Sequence, residues 1–442
     1  MVTVPPTGFV PPPYPQDRLD ALKRTADTLP GGVIDCSVGN PVDPIPEIAR
    51  TALVAASGAG NTYPPTIGTP DLREAAAAWI ERRTGTVVDP GREVIACIGT
   101  KELVASLPRH LALRDPSRDT ILYPAVAYPT YEMGATLAGL RAVPVPVHAN
   151  WHLDLDAIDP DDAARALVLW LNYPGNPTST VAGPAEMART VAWGRERGVI
   201  VASDECYFEF PGDGETQGTA IATGTEGVLA VHSVSKRSNL AGFRAGFIAG
   251  DPAIVGYLGE VRKHAGLMVP GPVQAAAAAV LGDDEHVIAQ RARYAKRRSL
   301  MLDGLARHGF VHDGGPALFY LWLRSTDGLD GWGIATHLAE ALLRLQLGSM
   351  QQAGGAEHQP QRCDPLSVLG DKGGQAAVAG QIEPELSVTG AGAVDVQSRR
   401  LLAQGLDQSR SDPALADHER VALPVRQGEG RGVVHRPEAD GA

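Results

Sequence analysis

The sequence predicts an α/β fold, and three observations carry that prediction. Between about residues 35 and 340, short apolar runs alternate with helix-compatible, often alanine-rich stretches. Each run closes in a polar or glycine-containing turn, the mark of a strand giving way to a crossover. The chain has 442 residues, 44% of them hydrophobic, enough for a core of ordinary size in two to three domains. Strand and helix alternating in this way imply a mostly parallel sheet covered on both faces.

In chain order, the first 35 residues are proline-rich and then helical. Thr69 as N-cap and Pro70 at the first helical position open an amphipathic helix over 71–83. Strands are predicted at 93–98, 120–123, 141–147, 166–171, 199–203 and 227–232, and a helix at 333–347. Beyond Glu340 the texture changes. All 23 aromatic residues lie at or before Trp332, whereas 11 of the 15 glutamines follow residue 340. With no aromatics and no sustained period of 2 or 3.6, the tail is expected to be poorly ordered.

The net charge of −12 argues against a general nucleic-acid or anionic-membrane binder. No apolar run approaches the roughly 20 residues of a membrane span, and the N-terminus lacks a secretory layout. Cys36, Cys97, Cys206 and Cys363 show neither metal-ligand spacing nor a disulfide framework. A soluble, cytoplasmic protein without a metal is expected.

Five motifs carry chemistry, each after a predicted strand. HSVSKRSNLAGFRAGF sets Lys236 in a Ser-x-Ser-Lys turn, with Ser233 before it and Arg244 among glycines after it. A lysine amine beside hydroxyls and a guanidinium suits a Schiff base to an aldehyde that carries a phosphate. In SDECYFEF, Asp204 at a strand end can hold a pyridinium nitrogen protonated, and Tyr207 can donate to a phenolate oxygen on the same ring. LNYPGNPTS holds the Asn176 amide between Gly175 and Pro177, fixed for a ring oxygen. ACIGTKELVASL presents Gly99, Thr100 and Lys101 at a helix N-terminus, a phosphate site. In YPAVAYPTYEMGA, Tyr128 can stack on a flat ring. Each alone is compatible with an ordinary turn, cap or packed ring. Together they fall on one edge of one sheet.

At these residues the sequence resembles the fold-type I, class I/II aminotransferases that depend on pyridoxal 5′-phosphate, over about seven tenths of the chain. The resemblance implies a large cofactor-binding domain at 46–295. A smaller α/β domain would be built from 1–45, which includes an N-terminal arm, and 296–347; the atypical tail is 348–442. It implies that Lys236 carries the cofactor and shuttles the proton, Asp204 pairs with the ring nitrogen, and Tyr207 and Asn176 hold the ring oxygen. Tyr128 would stack on the ring, while Ser233, Arg244, Gly99, Thr100 and Lys101 hold the phosphate. Tyr63 would reach the phosphate of a neighbouring subunit, implying a homodimer, and Gly39 and Asn176 would lie at the substrate. SVGNPVDPIPE, CIGTKELVASLP, YPAVAYPTYEMGA and RKHAGLMVPGPVQAA look most like the actinobacterial succinyldiaminopimelate transaminases. That likeness implies amino transfer between N-succinyl-LL-2,6-diaminopimelate and 2-oxoglutarate in lysine biosynthesis.

The chain departs from that family near 340–347, as a frame-shifted or replaced terminus would. No later arginine matches the one expected to clamp the substrate carboxylate; Arg420 comes nearest in local texture. A β-eliminating lyase on the same scaffold, or a cofactor-binding protein with impaired turnover, are the alternatives.

Overall fold

The computed structural model describes residues 9–28, 39–307 and 309–336, together with short strand segments between 372 and 424. Its centre is a seven-stranded sheet of β1 (Val94–Cys97), β2 (Thr120–Pro124), β3 (Arg141–Val145), β4 (Ala166–Asn172), β5 (Ile200–Asp204), β6 (Val228–Ser233) and β7 (Gly246–Gly250). The order across the sheet is β1-β7-β6-β5-β4-β2-β3. The six strands expected from the sequence are all present and run in one direction. Only β7 is antiparallel, and it pairs with β6 on one side and β1 on the other.

β7 is a strand that the sequence expectation lacks, and its glycines allow close backbone approach within it. A Cβ on Gly246 would lie 2.7 Å from the His232 carbonyl, and one on Gly250 would lie 2.1 Å from that of Val228. A five-residue strand with glycine at both ends has little intrinsic strand propensity, so its apolar run was too short to register.

Both faces of the sheet are covered. The helix Pro70–Thr84 starts as expected, with Pro70 at its first position and the Thr69 hydroxyl accepting from the Leu72 N–H at 3.3 Å, and left-handed Gly85 ends it. It lays Leu72, Ala76, Trp79 and Ile80 on one face, joined there by Met187, Val191, Ala276 and Val280. On the other face lie Leu103, Val104, Leu107 and Leu111 of the helix Thr100–Arg114, Tyr131 and Ala135, and Ile254 and Leu258. β4 is buried along its whole length, as a central parallel strand should be.

A second sheet contains β8 (Phe310–His312) and β9 (Tyr320–Ser325), paired antiparallel. The segment before β9 is fastened to two loops that leave the first sheet. The Gly315 N–H donates to the Thr178 carbonyl at 2.7 Å, Ala317 to Ser179 at 3.1 Å and Leu318 to Phe210 at 2.9 Å. From the tail, Gln375–Ala379 pairs antiparallel with β9 and parallel with Arg420–Pro424. Both strands are short, and AAVA and VALP are runs too brief to reveal a period. Arg420 pairs with Gln375 in register. The rest of the tail, and the predicted helix beyond residue 336, lie outside the described residues. Among the described residues no helix is long and apolar enough to cross a membrane.

Candidate active site

Because six strands run in one direction, the loops that leave their carboxyl ends open on one edge of the sheet. β7 runs the other way, so the loop that precedes it returns to that same edge, and with it Arg244. The topology therefore brings together every candidate that follows β1, β2, β4, β5 and β6.

An anion cradle forms at the end of β1. Gly99, at φ +70°, caps the helix Thr100–Arg114, whose first N–H groups have no partner within the helix. A Cβ on Gly99 would lie 2.2 Å from a guanidinium nitrogen of Arg244, so only glycine admits the cation there. Arg244 is itself held at φ +54°, with Nη1 donating to the Ala241 carbonyl at 2.8 Å. Ser233 caps the short helix Val234–Arg237, its hydroxyl accepting from the Ser235 N–H at 3.1 Å. Fully buried Arg262 makes a bidentate pair with Glu102 at 2.8 and 2.9 Å, which anchors the first turn of the cradle helix. Lys101 lies in the first turn of the same helix. Its amine bonds the Tyr14 hydroxyl and stands 4.4 Å from the centroid of that ring and 5.9 Å from that of Tyr128.

Lys236 is half-buried, its amine donating to the Gly39 carbonyl and standing 5.4 Å from the Phe319 ring centroid. Burial brings the amine down to about 8, with the Cys206 thiol opposing that fall and the Arg244 guanidinium adding to it. Asp204 closes β5 and is buried. Its Oδ2 accepts from the Tyr131 hydroxyl at 2.9 Å and its Oδ1 from the Cys206 N–H at 3.2 Å. Burial raises this carboxyl, against hydrogen bonds from Cys206 and Tyr131 that pull it down. Tyr131 in turn stacks on Trp170, with centroids 5.1 Å apart.

The Tyr207 hydroxyl lies 2.7 Å from that of Tyr320 on β9. Asn172 ties the neighbouring loop to β5. Its Nδ2 donates to the Asp204 carbonyl at 2.9 Å, and its Oδ1 accepts from the Asn176 N–H at 2.7 Å. The Asn176 side-chain amide makes no hydrogen bond among the described residues. The Thr100 hydroxyl accepts from Cys206 Sγ at 3.2 Å, linking the cradle to the Asp204 turn. Tyr63 stands apart from this cluster, 94% exposed.

Sequence reasoning passed over Tyr14, Tyr131, Asn172 and Tyr320. Asn172 carried a usable signal, since it is the polar residue that closes an apolar run, as Asp204 is. Tyr131 sits in the first turn of a helix and Tyr320 at the start of a strand, where an aromatic reads as packing.

An amine of lowered basicity, a buried carboxyl and an anion cradle on one edge can hold a flat phosphorylated ring and exchange protons beside it. Comparison with known proteins bears on that chemistry. Residues 32–345 match the family "Aminotransferase class I and II". The 4-dedimethylamino-4-oxo-anhydrotetracycline transaminase OxyQ of Streptomyces rimosus is 43% identical over 78% of this chain and 93% of its own length. An LL-diaminopimelate aminotransferase of Desulforudis audaxviator is 37% identical over 74% of this chain and 85% of its own. The solved structure of a probable N-succinyldiaminopimelate aminotransferase from Thermus thermophilus superposes with a TM-score of 0.68 at 31% identity, covering 74% of this chain and 89% of that one. With the family match spanning well over half the sequence and these likenesses beside it, the chain belongs to the class I and II aminotransferases and is a transaminase.

Proposed function

We propose that this transaminase works with pyridoxal 5′-phosphate and moves the amino group of N-succinyl-LL-2,6-diaminopimelate to 2-oxoglutarate. The observation that carries the cofactor is the Gly99–Arg244 approach, where a missing Cβ leaves room for a guanidinium above a helix N-terminus. When bound, the cofactor supplies an aldehyde for amines to condense with and a ring that takes up electrons released at the substrate Cα.

The chain's own residues do the rest. Lys236, with its amine near 8, offers a usable neutral fraction at physiological pH and accepts the Cα proton at Nζ. Asp204, oriented by Tyr131 and the Cys206 N–H, would pair with the ring nitrogen and hold a proton there. The Tyr207 hydroxyl and the Asn176 amide would donate to the ring oxygen, and Tyr128 would stack on the ring. Gly99, Thr100, Lys101, Ser233 and Arg244 would hold the phosphate by N–H, hydroxyl, ammonium and guanidinium groups. Gly39 and Asn176 would lie at the substrate. The exposure of Tyr63 supports a homodimer in which it reaches the neighbouring phosphate. The substrate is supported by diaminopimelate-type activities named for a relative and for a solved neighbour. A cytoplasmic location fits such biosynthetic chemistry.

The test is the visible spectrum of protein mixed with pyridoxal phosphate. A visible band is expected for the wild type and not for Lys236→Ala. N-succinyl-LL-2,6-diaminopimelate should bleach it faster than LL-diaminopimelate or an anhydrotetracycline amine does. A band bleached equally by glutamate alone and never by diaminopimelates would overturn the substrate assignment. Pyruvate released from cystathionine would favour a β-eliminating lyase, and a band no amino acid bleaches would mean impaired turnover.

A further inference from the structure

Tyr320 belongs to the second sheet, yet its hydroxyl reaches the site on the first. It lies 2.7 Å from the Tyr207 hydroxyl, and the two rings meet edge to face with centroids 5.3 Å apart. Both side chains are buried. The Tyr320 main chain is pinned, its carbonyl accepting from Ser179 Oγ at 2.7 Å, two residues after Leu318 donates to Phe210. On the far side stands Gly39, where a Cβ would lie 2.7 Å from the Tyr320 hydroxyl and 3.0 Å from Phe319. Glycine at that point is what lets the hydroxyl reach Tyr207.

A phenol has one proton to donate. If Tyr207 spends its proton on the cofactor's ring oxygen, its own oxygen must accept from Tyr320, so the pair has a fixed direction. Hydrogen bonds in such a chain polarise one another, and the donor at the end is strengthened. We propose that Tyr320 is a positioning residue, whose hydroxyl donates to Tyr207 and so fixes Tyr207 as the donor to the ring oxygen. The second domain thereby sets the electronic state of the ring without touching it. This inference rests on the cofactor assignment above.

The visible band of lysine-bound pyridoxal phosphate titrates with pH, and its deprotonated form carries more negative charge on the ring oxygen. A hydrogen bond donated there favours that form. Tyr320→Phe keeps the ring and removes the donor, so the midpoint should rise by roughly half a pH unit. Tyr207→Phe should raise it further, and the double variant should match Tyr207→Phe alone. A Tyr320→Phe midpoint equal to wild type, or additive shifts in the double variant, would overturn the proposal while leaving the cofactor assignment intact. A wild type with no visible band on pyridoxal phosphate addition would overturn both. A merely structural role would lower the melting temperature without moving the midpoint.

Discussion

Asp204 and Glu205 are neighbours in the chain, both buried and both raised above the ordinary carboxyl range, yet they serve opposite sides of the sheet. Asp204 faces Tyr131 and the open edge with Lys236 and Arg244. Glu205 turns to the face covered by Trp79, where it accepts from the Ala220 N–H at 2.9 Å and the Thr219 hydroxyl at 3.2 Å. Its other oxygen stands 3.7 Å from His232 Nε2, and the His232 ring packs edge-on against Trp79 with centroids 4.9 Å apart. Burial pushes Glu205 up to about 7 and His232 down to about 3. Neither displacement marks catalysis. A raised carboxyl is what any low-dielectric interior produces. Asp204 differs in its company, an amine and an anion cradle on the same edge.

The sharpest way to break this contrast is to neutralise each acid in turn. Asp204→Asn should lower kcat/KM by roughly 10²–10³-fold, because the charge opposite the ring nitrogen is lost where the reaction develops charge. Glu205→Gln should leave kcat/KM near wild type; equal losses in a steady-state assay would show that both acids serve the reaction. Next in size is Gly99→Ala, which displaces the Arg244 guanidinium. Losing one charge-assisted contact should weaken pyridoxal phosphate binding roughly 10- to 100-fold in a fluorescence titration.

The smallest effect sharpens the buried side. Unfolded, Glu205 titrates near 4.5 and folded near 7. Across that window the folded state keeps a proton that the unfolded state has released, so wild-type stability falls as pH rises through it. Glutamine has no proton to release. The melting temperature of Glu205→Gln, relative to wild type, should therefore climb between pH 5 and pH 8. His232 opposes this in both proteins: its contribution is present above pH 6.5 and declines as pH falls toward 3, so it cancels in the difference. A flat difference curve would mean that the carboxyl stays ionised in the fold.

Legibility in the sequence followed the range of the interactions involved. Strand ends such as Asp204 and Ser233 could be found because an apolar run closing in a polar residue is a local signal, and parallel strands convert that signal into a shared edge. Asn172 emits the same signal and was missed because Asn176, in a stiffer turn, drew the assignment. The Tyr14–Lys101 contact and the Tyr207–Tyr320 pair depend on segments far apart in sequence, which no local pattern encodes. β7 was hidden by its glycines. The family match ends at residue 345, close to where the aromatics cease, so composition alone located that boundary.

The single reversed strand has a bearing on the order of assembly. Gly246 of β7 pairs with Ser233, which the chain has just left, and also with Cys97, far upstream. The first pairing closes a short loop and the second a very long one, so the entropic cost of the two differs widely. The β6–β7 hairpin should therefore zip early, carrying Lys236 and Arg244 into register while the Gly99 helix is still elsewhere. Cofactor added during refolding would then meet a half-built anchor, and β1 would dock last, as the closing edge of the sheet.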